Sequence, residues 1–156
     1  MRYAGLETND MINGEGVCVS FWTQGCPHRC SGCQNPETWD FYGGKPLPND
    51  IRGQIIKAIS ANGITRNFSI LGGEPLCESN LKLTLDLINS VRVAYPNIKI
   101  FIWTGYRIED FSEEQKSILD KIDVLIDGPY DYELRDITLK LCGSSNQRVL
   151  RKGIDF

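Results

Sequence analysis

Three cysteines in the stretch QGCPHRCSGCQNPETW (residues 24–39) have the residue type and spacing for metal or redox chemistry. Cys26, Cys30 and Cys33 form a C-x3-C-x2-C pattern with no clear fourth ligand. Structural zinc takes four protein ligands, often as two separated pairs, and the second pair is missing here. His28 would complete a Cys3His set only on a short, strained loop. A C-x-x-C redox pair of Cys30 and Cys33 would leave Cys26 without a role.

A [4Fe–4S] cluster would use all three thiols. Three thiolates hold three of its irons, and the fourth iron keeps an open coordination position for a substrate or cofactor. The missing fourth ligand then has a purpose. Zinc binding and thiol redox chemistry stay open as alternatives on the residues alone.

Two further segments carry residues suited to ligand binding. In GGEP, Gly72 and Gly73 lack side chains, so main chain can approach a ligand closely, and Glu74 can accept hydrogen bonds. A Gly-Gly pair is also common in a simple turn, and a glutamate suits the start of a helix. Asp127, in IDGPY, is a weaker candidate that suits a turn equally well.

Alternating strand-like and helix-like segments must position these residues. β-Branched and aromatic runs predict strands over 16–23, 67–73, 98–105 and 123–128. Apolar residues at helical spacing predict helices over 49–63, 79–96 and 112–122. The segment 79–96 also alternates like a strand, but its length favours a helix. Ser112 and Gln115 resemble a capping box, and the segment from Pro129 onward stays unassigned.

This alternation predicts the α/β class, with a parallel sheet of βα units that is open or curled into part of a barrel. In such sheets, ligands bind at the carboxyl ends of the strands. The cysteine loop, GGEP, TGY and DGPY each follow a predicted strand. We therefore expect these four loops to face one common site.

Composition predicts one compact domain spanning residues 1–156. The chain is 41% hydrophobic and 24% charged, with a formal charge of −3 and no Lys/Arg-rich run. A nucleic-acid partner or an anionic membrane surface is therefore not expected. No apolar run has the length of a membrane span, and the first residues lack signal-peptide features, so a cytoplasmic location is expected. In a reducing compartment, six cysteines favour metal binding or redox work over disulfides.

The C-x3-C-x2-C pattern after the first predicted strand and GGEP after the second together resemble the radical S-adenosylmethionine (SAM) superfamily. The longer run NGEGVCVSFWTQGCPHRCSGCQNPETWD is similar to the activating enzymes of glycyl-radical enzymes. The small size, IDGPY and GSSNQR further resemble the anaerobic ribonucleoside-triphosphate reductase-activating proteins. The resemblance covers nearly the whole chain.

The resemblance implies a fold, two cofactors and a reaction. The fold is a partial, open (β/α) barrel of radical SAM type. A [4Fe–4S] cluster on Cys26, Cys30 and Cys33 reductively cleaves SAM, and the resulting 5′-deoxyadenosyl radical generates a glycyl radical on the reductase. No catalytic residue is implied beyond the cluster and SAM. The residues implied on the SAM side are Gly32, Cys33, Gln34, Gly72, Gly73, Glu74 and Asp127.

The implied partners are the large glycyl-radical subunit of anaerobic ribonucleoside-triphosphate reductase and a one-electron donor such as a flavodoxin. The polar segment 142–153 carries Arg148, Arg151 and Lys152, which suggests a contribution to docking on the reductase. Two alternatives remain at this point. One is a small radical SAM enzyme that acts on a free heterocycle, of the deazaguanine-forming type, and the other is a non-catalytic, metal-stabilised regulatory module.

Overall fold

A single mixed β-sheet spans most of the chain. The computed structural model describes every residue from Met1 to Phe156. The seven strands are β1 (Arg2–Asp10), β2 (Cys18–Thr23), β3 (Lys45–Pro46), β4 (Asn67–Gly72), β5 (Ile100–Trp103), β6 (Val124–Asp127) and β7 (Arg148–Arg151). The three α-helices are α1 (Ile51–Ile59), α2 (Glu78–Ala94) and α3 (Glu113–Lys116). The strand order across the sheet is β3-β1-β2-β4-β5-β6-β7.

The predicted parallel sheet of βα units forming a partial, open (β/α) barrel is wrong. Strands β2, β4, β5 and β6 are parallel, but β1, β3 and β7 each pair antiparallel with a neighbour. The helices have only 9, 17 and 4 residues, so strands and loops make up most of the chain. None of them is both long and apolar enough to cross a membrane.

The prediction failed where the sequence carries no clear apolar period. The strand β1 (RYAGLETND) alternates poorly, and its pairing with β2 contains two register shifts. The short β3 and the strand β7 lie within segments rich in turn residues. The helix predicted over 112–122 is only one turn long, although the capping box of Ser112 and Gln115 that begins it is confirmed.

The main hydrophobic core lies between one face of the sheet and helices α1 and α2. Alternate strand residues, such as Ile100 and Ile102, join this core, whereas Phe101 belongs to a smaller cluster with Val124 and Ile126. Side chains alternate between the faces of a strand, so the smaller cluster lies on the opposite face. The loop from β1 to β2 reaches this second face, because a Cβ placed on its Gly14 would come within 2.9 Å of the Ser69 hydroxyl.

Candidate active site

Four loops meet at a cavity of about 900 Å³ beyond the carboxyl ends of the parallel strands. The cysteine loop follows β2, Gly72–Glu74 follow β4, Thr104 and Gly105 follow β5, and Gly128 and Tyr130 follow β6. The four loops therefore line one cavity, as expected. Parallel strands explain it, because their carboxyl ends lie at one edge of the sheet.

The cavity lining contains most of the residues that the sequence singled out. The lining includes Cys26, Cys30, Cys33, Gln34, Gly72, Gly73 and Glu74. Gly32 is not part of it, and a Cβ on Gly32 would come within 2.6 Å of the Tyr132 ring. Asp127 is also absent from the lining. Its fully buried carboxylate accepts hydrogen bonds from Arg148 and from the main-chain N–H of Ile108.

Main-chain hydrogen bonds close the base of the cysteine loop. The N–H of Gly25 donates to the carbonyl of Thr38 at 2.7 Å, and the N–H of Cys26 donates to that of Trp39 at 3.2 Å. Asn80, on α2, donates its side-chain amide to the carbonyls of Gln24, Gly25 and Glu74. The loop has little regular structure of its own, so these contacts fix where its thiols lie.

The three thiols are shielded to different degrees. Cys26 is buried, whereas Cys30 and Cys33 are half-buried. Burial raises the pKa of Cys26 to about 11, and the nearby Glu74 carboxylate adds to the effect. Burial also raises the pKa of Cys30. Iron ligation needs thiolates, so binding of iron by these groups would release protons.

The thiols do not form a site for a single metal ion. No three of the chain's Cys, His, Asp and Glu side chains lie close enough together to hold one metal ion. The ring of His28 is hydrogen-bonded to Glu74. In a four-iron cluster, each thiolate binds a different iron, so the sulfurs lie farther apart than around one ion. Three thiols spread around a cavity therefore fit a cluster better than a tetrahedral zinc.

Glu74 connects three of the loops through its fully buried carboxylate. Its Oε1 is 2.7 Å from His28 Nε2, in the cysteine loop, and accepts the N–H of Gly105 at 2.7 Å. Its Oε2 accepts the N–H of Leu76 and the hydroxyl of Thr104, each at 2.8 Å. Both carboxylate oxygens are therefore occupied within the chain, and the side chain orders the walls of the cavity.

Glu74→Gln is expected to destabilise the protein. An amide cannot accept from all four groups, and a buried donor left unsatisfied costs roughly 1–3 kcal/mol. Urea unfolding measures the change. Glu78→Gln is the control, because Glu78 is exposed in the first turn of α2 and its loss costs at most about 1 kcal/mol. Equal destabilisation by both changes would show that the four bonds contribute little.

Gly73 lies against the cysteine loop. A Cβ at this position would collide with the carbonyl group of Gly25 and would come within 3.0 Å of the Thr38 carbonyl oxygen. The N–H of Glu74 donates to the same Gly25 carbonyl at 2.9 Å. The glycine is therefore needed so that GGEP and the cysteine loop can pack together.

The sequence interpretation missed two walls of the cavity. One is the β1–β2 loop, with Met11, Ile12 and residues 13–16, and the other is the segment 135–143, which includes Ile137. Met11, Ile12 and Ile137 expose 76%, 82% and 98% of their surface, so the mouth carries an apolar rim. The signal in the sequence was the presence of large apolar residues within polar, turn-rich segments.

The polar segment 142–153 is tied into the sheet. Arg148 and Arg151 lie in β7, where Arg148 pairs with Asp127 and Glu109 and Arg151 pairs with Glu15. Hydrogen bonds from Arg148 to both carboxylates raise the pKa of its guanidinium. Both arginines are thus used inside the chain, and an Arg148→Glu change would disturb the fold rather than isolate docking.

The other three cysteines differ in position. Cys18 and Cys77 are buried outside the cavity, in β2 and at the start of α2. Cys142 is half-buried and lines the cavity.

Comparison with known proteins indicates an iron–sulfur protein. Residues 12–150 match the family described as a 4Fe-4S single cluster domain. The anaerobic ribonucleoside-triphosphate reductase-activating protein of Escherichia coli K12 is 35% identical over 150 residues, covering 96% of this chain and 97% of the relative. The proteins of the same name from Haemophilus influenzae and Enterobacteria phage T4 are 35% and 34% identical, covering 97% and 96% of this chain and 98% and 93% of each relative.

The site and the family match together define a protein with a single [4Fe–4S] cluster domain. More narrowly, the chain belongs to the family of anaerobic ribonucleoside-triphosphate reductase-activating proteins.

Proposed function

We propose that this protein activates an anaerobic ribonucleoside-triphosphate reductase by generating a glycyl radical on it. The observation that carries the proposal is that Cys26, Cys30 and Cys33 line one cavity together with Gly72 and Gly73. A cluster and a second ligand would therefore share a single space. The names of the relatives supply the reductase as the partner.

The chemistry supplied by the bound cofactors is one-electron cleavage of SAM between sulfur and C5′, giving methionine and a 5′-deoxyadenosyl radical that takes a hydrogen atom from a glycine of the reductase. The chain itself contributes cluster ligands, positioning and exclusion of water. The three thiolates of Cys26, Cys30 and Cys33 would hold the cluster, and three protein ligands would leave one coordination position for SAM. No side chain of the protein needs to react.

Hydrogen-bond acceptors and donors for SAM come from the loops that contact Glu74. No group of the chain donates a hydrogen bond to the carbonyl oxygen of Gly73, so this oxygen is available to the amino group of a bound methionine moiety. The side-chain amide of Gln34 also lines the cavity without a partner in the chain. Glu74 holds these loops in place through its four hydrogen bonds.

The two remaining candidates, Gly32 and Asp127, do not line the cavity. Gly32 packs against Tyr132 and shapes the loop between Cys30 and Cys33 from outside the cavity. Asp127 anchors β7 through Arg148 and acts on the site only through the segment after β6. We propose both as positioning residues.

The whole chain, residues 1–156, acts as one domain in this proposal, since a single sheet includes strands from Arg2 to Arg151. The electron comes from an external one-electron donor such as a flavodoxin. The partner that receives the radical is the large subunit of the reductase.

Electron paramagnetic resonance tests the proposal. The reconstituted protein is mixed anaerobically with SAM, a strong reductant and an anaerobic ribonucleotide reductase, and a glycyl-radical signal is expected. The signal should vanish when the target glycine of the reductase is replaced by alanine. SAM cleavage without any protein radical would reject activation and favour a small-molecule substrate. Absence of both cluster and cleavage would instead favour a non-catalytic module.

A further inference from the structure

The outer edge of β1 lacks a partner strand over most of its length. The strand β3 pairs with β1 only at Arg2 and Tyr3, and no main-chain group of another segment pairs with this edge between Ala4 and Asn9. An open edge presents unpaired N–H and C=O groups that a second extended chain can use. Register shifts flank the stretch Gly5–Glu7, so this stretch is the regular part of the open edge.

A groove of about 780 Å³ lies beside this edge and joins the cavity. Gly5, Leu6 and Glu7 of β1 line it together with Trp22 of β2 and Glu37 of the cysteine loop, so the groove extends from the open edge over the adjoining face of the sheet. Both the groove and the cavity are lined by the same five residues, which are Met11, Ile12, Asn13, Asn35 and Thr38. An extended chain in the groove is therefore led to the mouth of the cavity.

Gly5 is required neither by a left-handed backbone nor by a close contact within the isolated fold. Its φ lies outside the left-handed region, so its own backbone does not need glycine, and a Cβ placed on it would meet nothing within 4 Å. Glycine inside a strand weakens the strand and often marks a β-bulge or a point where another backbone approaches closely, and Gly5 adjoins the register shift after Tyr3. The open edge and the groove at Gly5 supply the place for such a backbone.

The groove also favours one kind of chain. The exposed carboxylates of Glu7 and Glu37 line it against a single ammonium group, that of Lys45, whereas the Asp10 carboxylate beside them is buried and hydrogen-bonded within the chain. The exposed side chains of Met11 and Ile12 lie where it meets the cavity. The occupant should therefore be extended, carry basic side chains and present an apolar or neutral stretch at the cavity mouth.

We propose that the groove along β1 docks an extended, basic segment of the reductase as an added β-strand and delivers the acceptor glycine to the cavity. This inference rests on the proposed function. A glycine α-carbon is part of the main chain, so it can reach the cavity only if its own segment enters with it. Pairing with the β1 edge would hold that segment in one register.

Filling the groove provides the test. In Gly5→Trp, the new side chain has free space in the isolated protein but occupies the room of the docked segment. At limiting reductase, the yield of glycyl radical is expected to fall by roughly tenfold or more, as when a central contact of an interface is blocked. SAM cleavage in the absence of the reductase should not change. Gly53→Trp is the matched control, because Gly53 is exposed on α1 and also has nothing within 4 Å.

Undiminished radical formation by Gly5→Trp, or an equal loss in Gly53→Trp, would overturn docking in the groove. Hydrogen–deuterium exchange gives a readout that needs no radical. Adding the reductase to the wild-type holoprotein should protect amides within residues 4–9, and unchanged exchange there would also overturn the proposal. Protection that grows with concentration of the protein alone would assign the edge to a second copy instead. Protection without any glycyl radical would reject the proposed function and keep the docking surface.

Discussion

Serine in place of Cys26, Cys30 or Cys33 is expected to abolish the [4Fe–4S] cluster. Each thiolate is proposed to hold a different iron, and His28, the other possible ligand of the cysteine loop, is hydrogen-bonded to Glu74. The serine hydroxyl is a far poorer ligand for iron than a thiolate. After anaerobic reconstitution, iron and acid-labile sulfide should fall to background in all three variants, and SAM cleavage should be lost with them.

Cys77→Ser is the control for this series. Cys77 is buried at the N-cap of α2 and does not line the cavity, and a serine oxygen suits that cap position. Cys18→Ser should also keep the cluster, although Cys18 is fully buried in β2. A variant at Cys26, Cys30 or Cys33 with full cluster occupancy and normal spectra would refute the three-thiolate assignment.

Gly73→Ala is expected to suppress SAM cleavage by about 100-fold. The new methyl group would collide with the Gly25 carbonyl group, so the cysteine loop and GGEP must move apart. A displacement of about 1 Å in a reacting site can cost two orders of magnitude in rate. Chromatography of 5′-deoxyadenosine after addition of a strong reductant measures the loss.

Gly53→Ala is the matched control, since it adds the same methyl group on the open surface of α1. Alanine also has the higher helix propensity, so this variant should be fully active and no less stable. Unchanged cleavage by Gly73→Ala would show that the contact between the two loops does not set the geometry of the site.

Local patterns predicted the elements with strong apolar periods. The strands β2, β4, β5 and β6 and the helix α1 lie within the predicted segments, and α2 begins one residue before its predicted segment, at Glu78. The three antiparallel strands were missed, because β1, β3 and β7 are short, polar or irregular and owe their conformation to a neighbouring strand. The predicted barrel was wrong for the same reason, since strand pairing, and not the order of elements, decides how a sheet closes.

The residues of the candidate site were likewise predicted only in part. The spacing of Cys26, Cys30 and Cys33 and the glycines of GGEP were visible in the sequence, and all of them line the cavity. The sequence predicted the roles of the two carboxylates, Glu74 and Asp127, less well. Glu74 is saturated by four groups from three loops, and Asp127 is paired with an arginine 21 residues away.

The sequence by itself therefore determined the chemistry this protein can support, and tertiary structure alone decided which residues are free to take part in it. Cysteine spacing and glycine identity are local properties of the chain, and ligand type follows from them directly. Whether a carboxylate meets a ligand or an internal donor depends on contacts between distant segments, such as His28 with Glu74 and Arg148 with Asp127. The open edge of β1 is likewise visible only once the sheet is assembled, because an unpaired strand is defined by the neighbour it lacks.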